Sequence, residues 1–140
     1  MRVFLDTNVL FSGLHSARGI PNRILEAASA GTMTCVVSLT VLQELARNIR
    51  RKAPGLAGEF SRFLANTRVE VLGDPSDDET QYWIDAELGS DAPLIAAALA
   101  AAVDYFCTGD KRLRARSAEI RGLTIVSPAE LLDHLPSGPR

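Results

Sequence analysis

Residues 1–10 read "MRVFLDTNVL". The core of this run, Val3 to Leu5, is apolar, and residues 2–6 have the length of a short buried strand. That strand stops on an acid, Asp6, and Thr7 and Asn8 extend the polar break before Val9, Leu10 and Phe11 turn apolar again. A buried strand that ends on a carboxylate needs a physical reason. The reason lies in three further acids far along the chain, once the strands between them are counted.

Outward from this stretch, strand-like and helix-like segments alternate. Residues 7–14 read as a polar turn leading into a short helical piece. "IPNRILEAASAG" (20–31) is a helix with Pro21 in its first turn and Gly31 at its stop. "TMTCVVS" (32–38) is a second strand. Ser38 or Thr40 caps the helix "TVLQELARNIRRK" (40–52), where Thr40 and Gln43 fit a capping box. Pro54 and Gly55 break it, and "LAGEFSRFLAN" (56–66) is a further helix whose Phe60, Phe63 and Leu64 pack paired helices together. A strand at 68–72, a turn at 73–78 and a helix at 79–88, ended by Gly89, come next. Tyr82 and Trp83 on that helix read as core or interface anchors. Residues 90–102 are a helix with Asp91 at its N-cap and Pro93 in its first turn. A strand at 103–107, a basic helix within 108–117, a strand at 123–127 and a helix at 127–135 with a Ser127–Glu130 capping box complete the chain.

This alternation predicts an α/β three-layer sandwich around a central, mostly parallel five-stranded sheet. "FLDT", "TCVVS" and "DYFCT" are apolar on both faces, as central parallel strands require. Residues 1–135 are expected to form a single domain and 136–140 a flexible C-terminal tail. With 46% hydrophobic residues and a net charge of −2, the 140-residue chain is not disordered in composition. No apolar run is long enough to span a bilayer and no signal-peptide core is present, so a cytoplasmic location and no membrane partner are expected. Cys35 and Cys107 sit inside strand-like runs without a CxxC or Cys/His cluster, which points to free buried thiols and not to zinc.

In such sheets ligands sit beyond the C-terminal ends of the strands. Asp6 ends the first strand, Asp110 follows the fourth, Asp91 opens the helix leading into the fourth, and Glu44 lies early in the helix after the second. No Lys or Arg stands within two residues of Asp6, Glu44 or Asp91. Each acid alone has a plain structural use: Asp6, Asp91 and Asp110 as helix or turn caps, Glu44 as a surface acid. Together, four carboxylates repel and call for a cation. Mg²⁺ or Mn²⁺, which binds a few carboxylates and keeps several waters, suits that donor set.

The segments "FLDTNVL", "LTVLQEL", "SDAPLIAAAL" and "YFCTGDKRL", in that order, resemble the four acidic motifs of PIN-domain ribonucleases, of which many bacterial members are VapC-type toxins paired with an antitoxin. The resemblance spans nearly the whole chain. It implies strand order 3-2-1-4-5 and Asp6, Glu44, Asp91 and Asp110 as metal-binding and catalytic acids. Asn8 and Thr108 become polar helpers that orient a carboxylate or a metal-bound water, although each also suits plain turn or cap chemistry. It further implies metal-dependent hydrolysis of RNA phosphodiester bonds, a small antitoxin protein as partner and a homodimer. Arg47, Arg50, Arg51, Lys52, Lys111, Arg112, Arg114 and Arg116 are the candidates for RNA phosphate contacts, against the plain reading of solvated helix faces. Two other readings stand beside this one. A haloacid-dehalogenase-like phosphatase wants a second Asp two residues after the first, where this chain has Asn8. A non-cleaving module of the same fold would bind RNA or protein without turnover.

Overall fold

The computed structural model describes residues 1–85 and 88–136, without the side chains of 83–85. The expected tail, from residue 137 on, and the side chain of Trp83 lie outside the described residues.

Five parallel strands, β1 (Arg2–Leu5), β2 (Thr34–Ser38), β3 (Val69–Leu72), β4 (Tyr105–Cys107) and β5 (Ile125–Val126), form one sheet. Their order is β3-β2-β1-β4-β5, as the resemblance implies. β1 is central, and its Val3, Phe4 and Leu5 are fully buried. Its register sets Phe4 opposite Phe106 on β4, and the two rings stack with centroids 5.0 Å apart. Cys35 pairs with Val3 on one side of β1 and Cys107 with Leu5 on the other, so the sheet separates the two thiols. Both are free, and burial pushes each up to about 12.

The helices are α1 (Thr7–His15), α2 (Ile20–Ser29), α3 (Leu39–Lys52), α4 (Ala57–Asn66), α5 (Asp77–Asp85), α6 (Ala92–Ala100), α7 (Lys111–Ala115) and α8 (Pro128–His134). The chain moves from β1 outward to β3 through α1–α4, then returns past β1 to β4 and β5 through α5–α7. Right-handed crossovers therefore place these two groups on opposite faces of the sheet. The packing agrees: α1 lies against α2 and α3, α8 returns onto α2, and α5 packs on α6. Gly13 permits the close approach of α1 to α2, since a Cβ there would stand 2.6 Å from Leu25 Cδ1.

Some local expectations change. α1 starts at once after β1, with no intervening turn, because the Asp6 carboxylate accepts the Thr7 N–H and caps it. Ser38 caps α3 by accepting the Val41 N–H at 3.2 Å, so the expected Thr40–Gln43 box does not form; the Thr40 hydroxyl donates to Asp74 instead. The Ser127–Glu130 box does form. Phe63 is buried and Phe60 packs against the core, whereas Leu64 is exposed. Tyr82 is exposed, so it is no core anchor. No helix among the described residues is long and apolar enough to cross a membrane.

Candidate functional site

The strand order reverses between β1 and β4, and a crevice opens there beyond the C-terminal ends of the strands. Asp6 leaves β1 at this point. Its N–H donates to the Cys107 carbonyl at 3.0 Å, which continues the β1–β4 ladder by one residue and puts Asp6 beside Thr108. The Thr108 hydroxyl, fully buried, donates to Asp6 Oδ2 at 2.8 Å and accepts the Asp110 N–H at 3.1 Å. Asp6 Oδ1 accepts the Thr7 N–H at 2.7 Å. The Thr7 hydroxyl donates to Glu44 Oε2, on α3, at 3.0 Å. One chain of hydrogen bonds thus runs from Asp110 through Thr108, Asp6 and Thr7 to Glu44.

Asp110 caps α7, its Oδ1 accepting the N–H groups of Arg112 and Leu113 at 2.9 and 3.3 Å. This is the plain structural use of that residue, and it leaves Oδ2 without a protein donor among the described residues. Asp91 differs from expectation. It ends a short 3-10 turn, Gly89–Asp91, in helical backbone conformation, and its side chain makes no capping bond to α6. That turn is entered through Gly89 at φ +57°, a conformation that glycine adopts without strain. The Asp91 carboxylate is therefore free of hydrogen bonds among the described residues.

The electrostatics follow from this placement. Burial is the largest cause that pushes the Asp6 carboxyl above its usual range, and the charges of Glu44 and Asp110 push the same way, against the donors Thr108 and Thr7. Burial likewise raises Asp91, helped by Asp6, Asp110 and Glu44 and opposed by Arg112. Asp6 and Asp91 thus each lie within electrostatic reach of both Glu44 and Asp110, and of each other. As placed, no three His, Cys, Asp or Glu side chains among the described residues stand close enough to ligate one ion together. The donor set is nonetheless all carboxylate oxygen, with Glu44 Oε1, Asp110 Oδ2 and both Asp91 oxygens open. That fits a hard divalent ion held through one or two carboxylates and its own waters.

A cleft of about 370 Å³ adjoins the acids, with Asp91 and Asp110 facing Arg112 and Arg116 above Leu88 and Leu113. Arg116 is paired with Glu119 at 2.7 Å. Arg112 has no salt-bridge partner among the described residues. The other expected cations stand elsewhere. Arg114 turns toward Glu130 at 3.7 Å, and its buried Nε lacks a partner among the described residues. Lys111 is exposed on the first residue of α7. Arg47, Arg50, Arg51 and Lys52 are exposed along α3, and Lys52 lies eight residues beyond Glu44, about 12 Å along the helix axis. Asn8 is exposed, and no hydrogen bond among the described residues ties its amide to a carboxylate. Thr7 is the polar group missed in the sequence: it is the neighbour of Asn8 and 3% exposed. Its signal was position, because the first residue of a helix that opens on a site acid shares that acid's surroundings.

A family model described as "PIN domain" matches residues 2–112. Among curated proteins none matches the sequence. Two of the solved structures that share the fold illustrate the likeness. One is VapBC2 from Rickettsia felis, bound to a DNA fragment from its promoter: TM-score 0.65, 19% identity, covering 91% of this chain and 98% of that one. The other is PAE2754 from Pyrobaculum aerophilum: TM-score 0.66, 16% identity, covering 96% and 88%. At these identities the likeness is one of fold.

Proposed function

The chain belongs to the PIN-domain family, and on that premise we propose that it is a metal-dependent endoribonuclease and the toxin of a toxin–antitoxin pair. One observation carries the reading: Asp6, Glu44, Asp91 and Asp110 gather near the switch point of the sheet, the last three with open oxygens, and no matched set of cations accompanies them among the described residues. Acids gathered for stability alone would be paired, as Glu70 is with Arg2 elsewhere in this chain. Asp6, Glu44, Asp91 and Asp110 would hold Mg²⁺ or Mn²⁺. Such an ion supplies a Lewis acid that activates water and stabilises charge gathering on phosphoryl oxygens.

The chain's own residues do the rest. Thr108 fixes Asp6 relative to Asp110. Asp91, raised by burial and free of hydrogen bonds among the described residues, would be the carboxylate that accepts a proton from water. Arg112, which lines the same cleft as Asp91, would hold a phosphate of the RNA.

The antitoxin reading draws on a second surface. The groove between α1, α2 and α4, about 820 Å³, is lined by Leu14, Leu25, Leu56 and Phe63 and rimmed by Glu59 and Arg62. It suits an amphipathic helix of a small partner. The structural neighbour from Rickettsia felis is itself a VapBC complex.

The test is incubation of the purified chain with labelled single-stranded RNA in Mn²⁺, with EDTA as control. Cleavage should require the metal, fall steeply with added monovalent salt, and fall at least tenfold in kcat/KM for Arg112→Glu without loss of fold. Cleavage that persists in EDTA defeats the metal-nuclease reading.

A further inference from the structure

We propose that Thr7 is a positioning residue of this site, its hydroxyl holding Glu44 with one carboxylate oxygen pinned and the other left open. This rests on the metal-nuclease reading above and concerns a different residue from the polar helper that the motif suggests, Asn8.

Three observations carry it. Thr7 touches two acids that come from different elements: its backbone N–H donates to Asp6 Oδ1 at 2.7 Å, and its hydroxyl donates to Glu44 Oε2 at 3.0 Å. It is buried, 3% exposed, which strengthens a hydrogen bond made there. That hydroxyl is also the hydrogen-bond donor that holds Glu44, since no other bond to the Glu44 carboxylate occurs among the described residues, and Oε1 stays free.

The physics favours threonine here. Glu44 is half-buried on a long side chain, and ordering it costs rotamer entropy. Thr7 is β-branched, with a restricted χ1, and sits on the first turn of a helix capped by Asp6. Its hydroxyl is therefore fixed in space before any ligand arrives. A donor fixed in this way settles which oxygen of Glu44 is available, as partners behind a metal ligand do. Thr108 plays the matching part for Asp6 and Asp110, so two buried threonines together tie three of the four acids into one frame. Asn8, one residue on, points to solvent and cannot serve this purpose.

The test removes the hydroxyl and keeps the shape. Thr7→Val leaves the backbone bond to Asp6 intact. Mn²⁺ affinity, read by calorimetry on the full chain without RNA, should weaken about 10- to 100-fold, and Thr7→Ser should restore it. A Glu44→Ala background sharpens the result: if Thr7 acts through Glu44, Thr7→Val adds nothing there. An equal loss of affinity in both backgrounds would mean that Thr7 only packs, and overturns the proposal. If Thr7→Val does not fold, Thr7→Ala against Thr7→Ser gives the same comparison. Wild-type affinity in the hydroxyl-free variant sinks the Thr7 role alone. A wild-type chain that neither binds Mn²⁺ nor cleaves RNA sinks the functional reading and this proposal with it.

Discussion

The two ends of the same sheet treat acidic residues in opposite ways. At the N-terminal end, Arg2 spans the sheet from β1. Its guanidinium donates to both Glu70 oxygens at 2.9 and 2.6 Å and to the Ala101 carbonyl at 2.5 Å, while its N–H donates to Asp104 at 2.7 Å. The Glu70 carboxyl is held below its usual range by that hydrogen bond, with the Arg2 charge adding to it. At the C-terminal end, Asp6 and Asp91 are raised, chiefly by burial. Asp6 is held by threonines and a backbone N–H that bring no charge, and Asp91 makes no hydrogen bond among the described residues and has only the opposing charge of Arg112 near it. Neutral donors orient a carboxylate without cancelling its charge, whereas a paired arginine does both. One end is matched within the chain, and the other keeps its acids without such a match among the described residues, as the proposed metal site would require.

The strongest way to break this contrast is Asp6→Asn against Arg2→Ala. Asp6→Asn should lower RNA cleavage by about 10²–10³-fold, the scale on which the loss of one electrostatic group in an active site is felt. Asn also caps helices, so α1 should persist. Metal response should divide the edges in the same way. For the wild type, Mn²⁺ at a hundred times its dissociation constant should add about 2.7 kcal/mol of stability, seen as a rise in Tm. Asp6→Asn should lose most of that gain. If it cleaves at the wild-type rate, Asp6 is a cap and no more.

Arg2→Ala should do the reverse. Cleavage and the metal-dependent rise in Tm should stay within about twofold of wild type, while the metal-free protein loses stability. The loss is modest because Arg2 and Glu70 are both about one-third exposed, at 34% and 39%, and solvent screens such a pair to about 1 kcal/mol at most. Chemical denaturation in EDTA would measure it. A loss of cleavage in Arg2→Ala with the fold intact would show that the two edges are coupled, and the contrast would fail.

Much of this contrast was legible in the chain itself. "FLDT", "TCVVS" and "DYFCT" mark parallel strands by being apolar on both faces, and Asp6 marks the end at which a site opens. The order of the strands came with the family resemblance, because alternation alone does not say which strand is central. What stayed hidden depends on contacts between distant residues. Motif reading favoured Asn8 over Thr7, yet only α3 packing on α1 brings Glu44 to the Thr7 hydroxyl. Asp91 looked like a cap, but the turn that begins at Gly89 continues into α6 in helical conformation and leaves the carboxylate unused. Thr40 and Gln43 fit a capping pattern that Ser38, two residues earlier, fulfils instead. The Arg2–Glu70 pair joins residues 68 apart, and no local pattern announces it.

The smallest expected effect tests the comparison most directly, since it reads the acids themselves without RNA or metal. Carboxyls in unfolded chains titrate near pH 4. Glu70, lowered in the folded state, contributes stability that is present above that value and is lost as pH falls through its folded pKa. Asp6, raised, does the opposite: the folded protein holds its proton more tightly than the unfolded chain, so stability drops as pH rises from the ordinary value through the folded one. In EDTA, Asp6→Asn should therefore be somewhat more stable than wild type near neutral pH, and the two should converge in mild acid, where Asp6 is protonated. Glu70→Gln should be less stable than wild type near neutral pH, and that deficit too should fade in acid. The two differences from wild type carry opposite signs and vanish at the same end of the pH scale. Urea midpoints of the three proteins, taken from pH 7 down to roughly pH 2, below the unfolded carboxyl value, give both curves. A gap between Asp6→Asn and wild type that does not change with pH would show that Asp6 is not held above its usual range, and that the two edges of the sheet treat their acids alike.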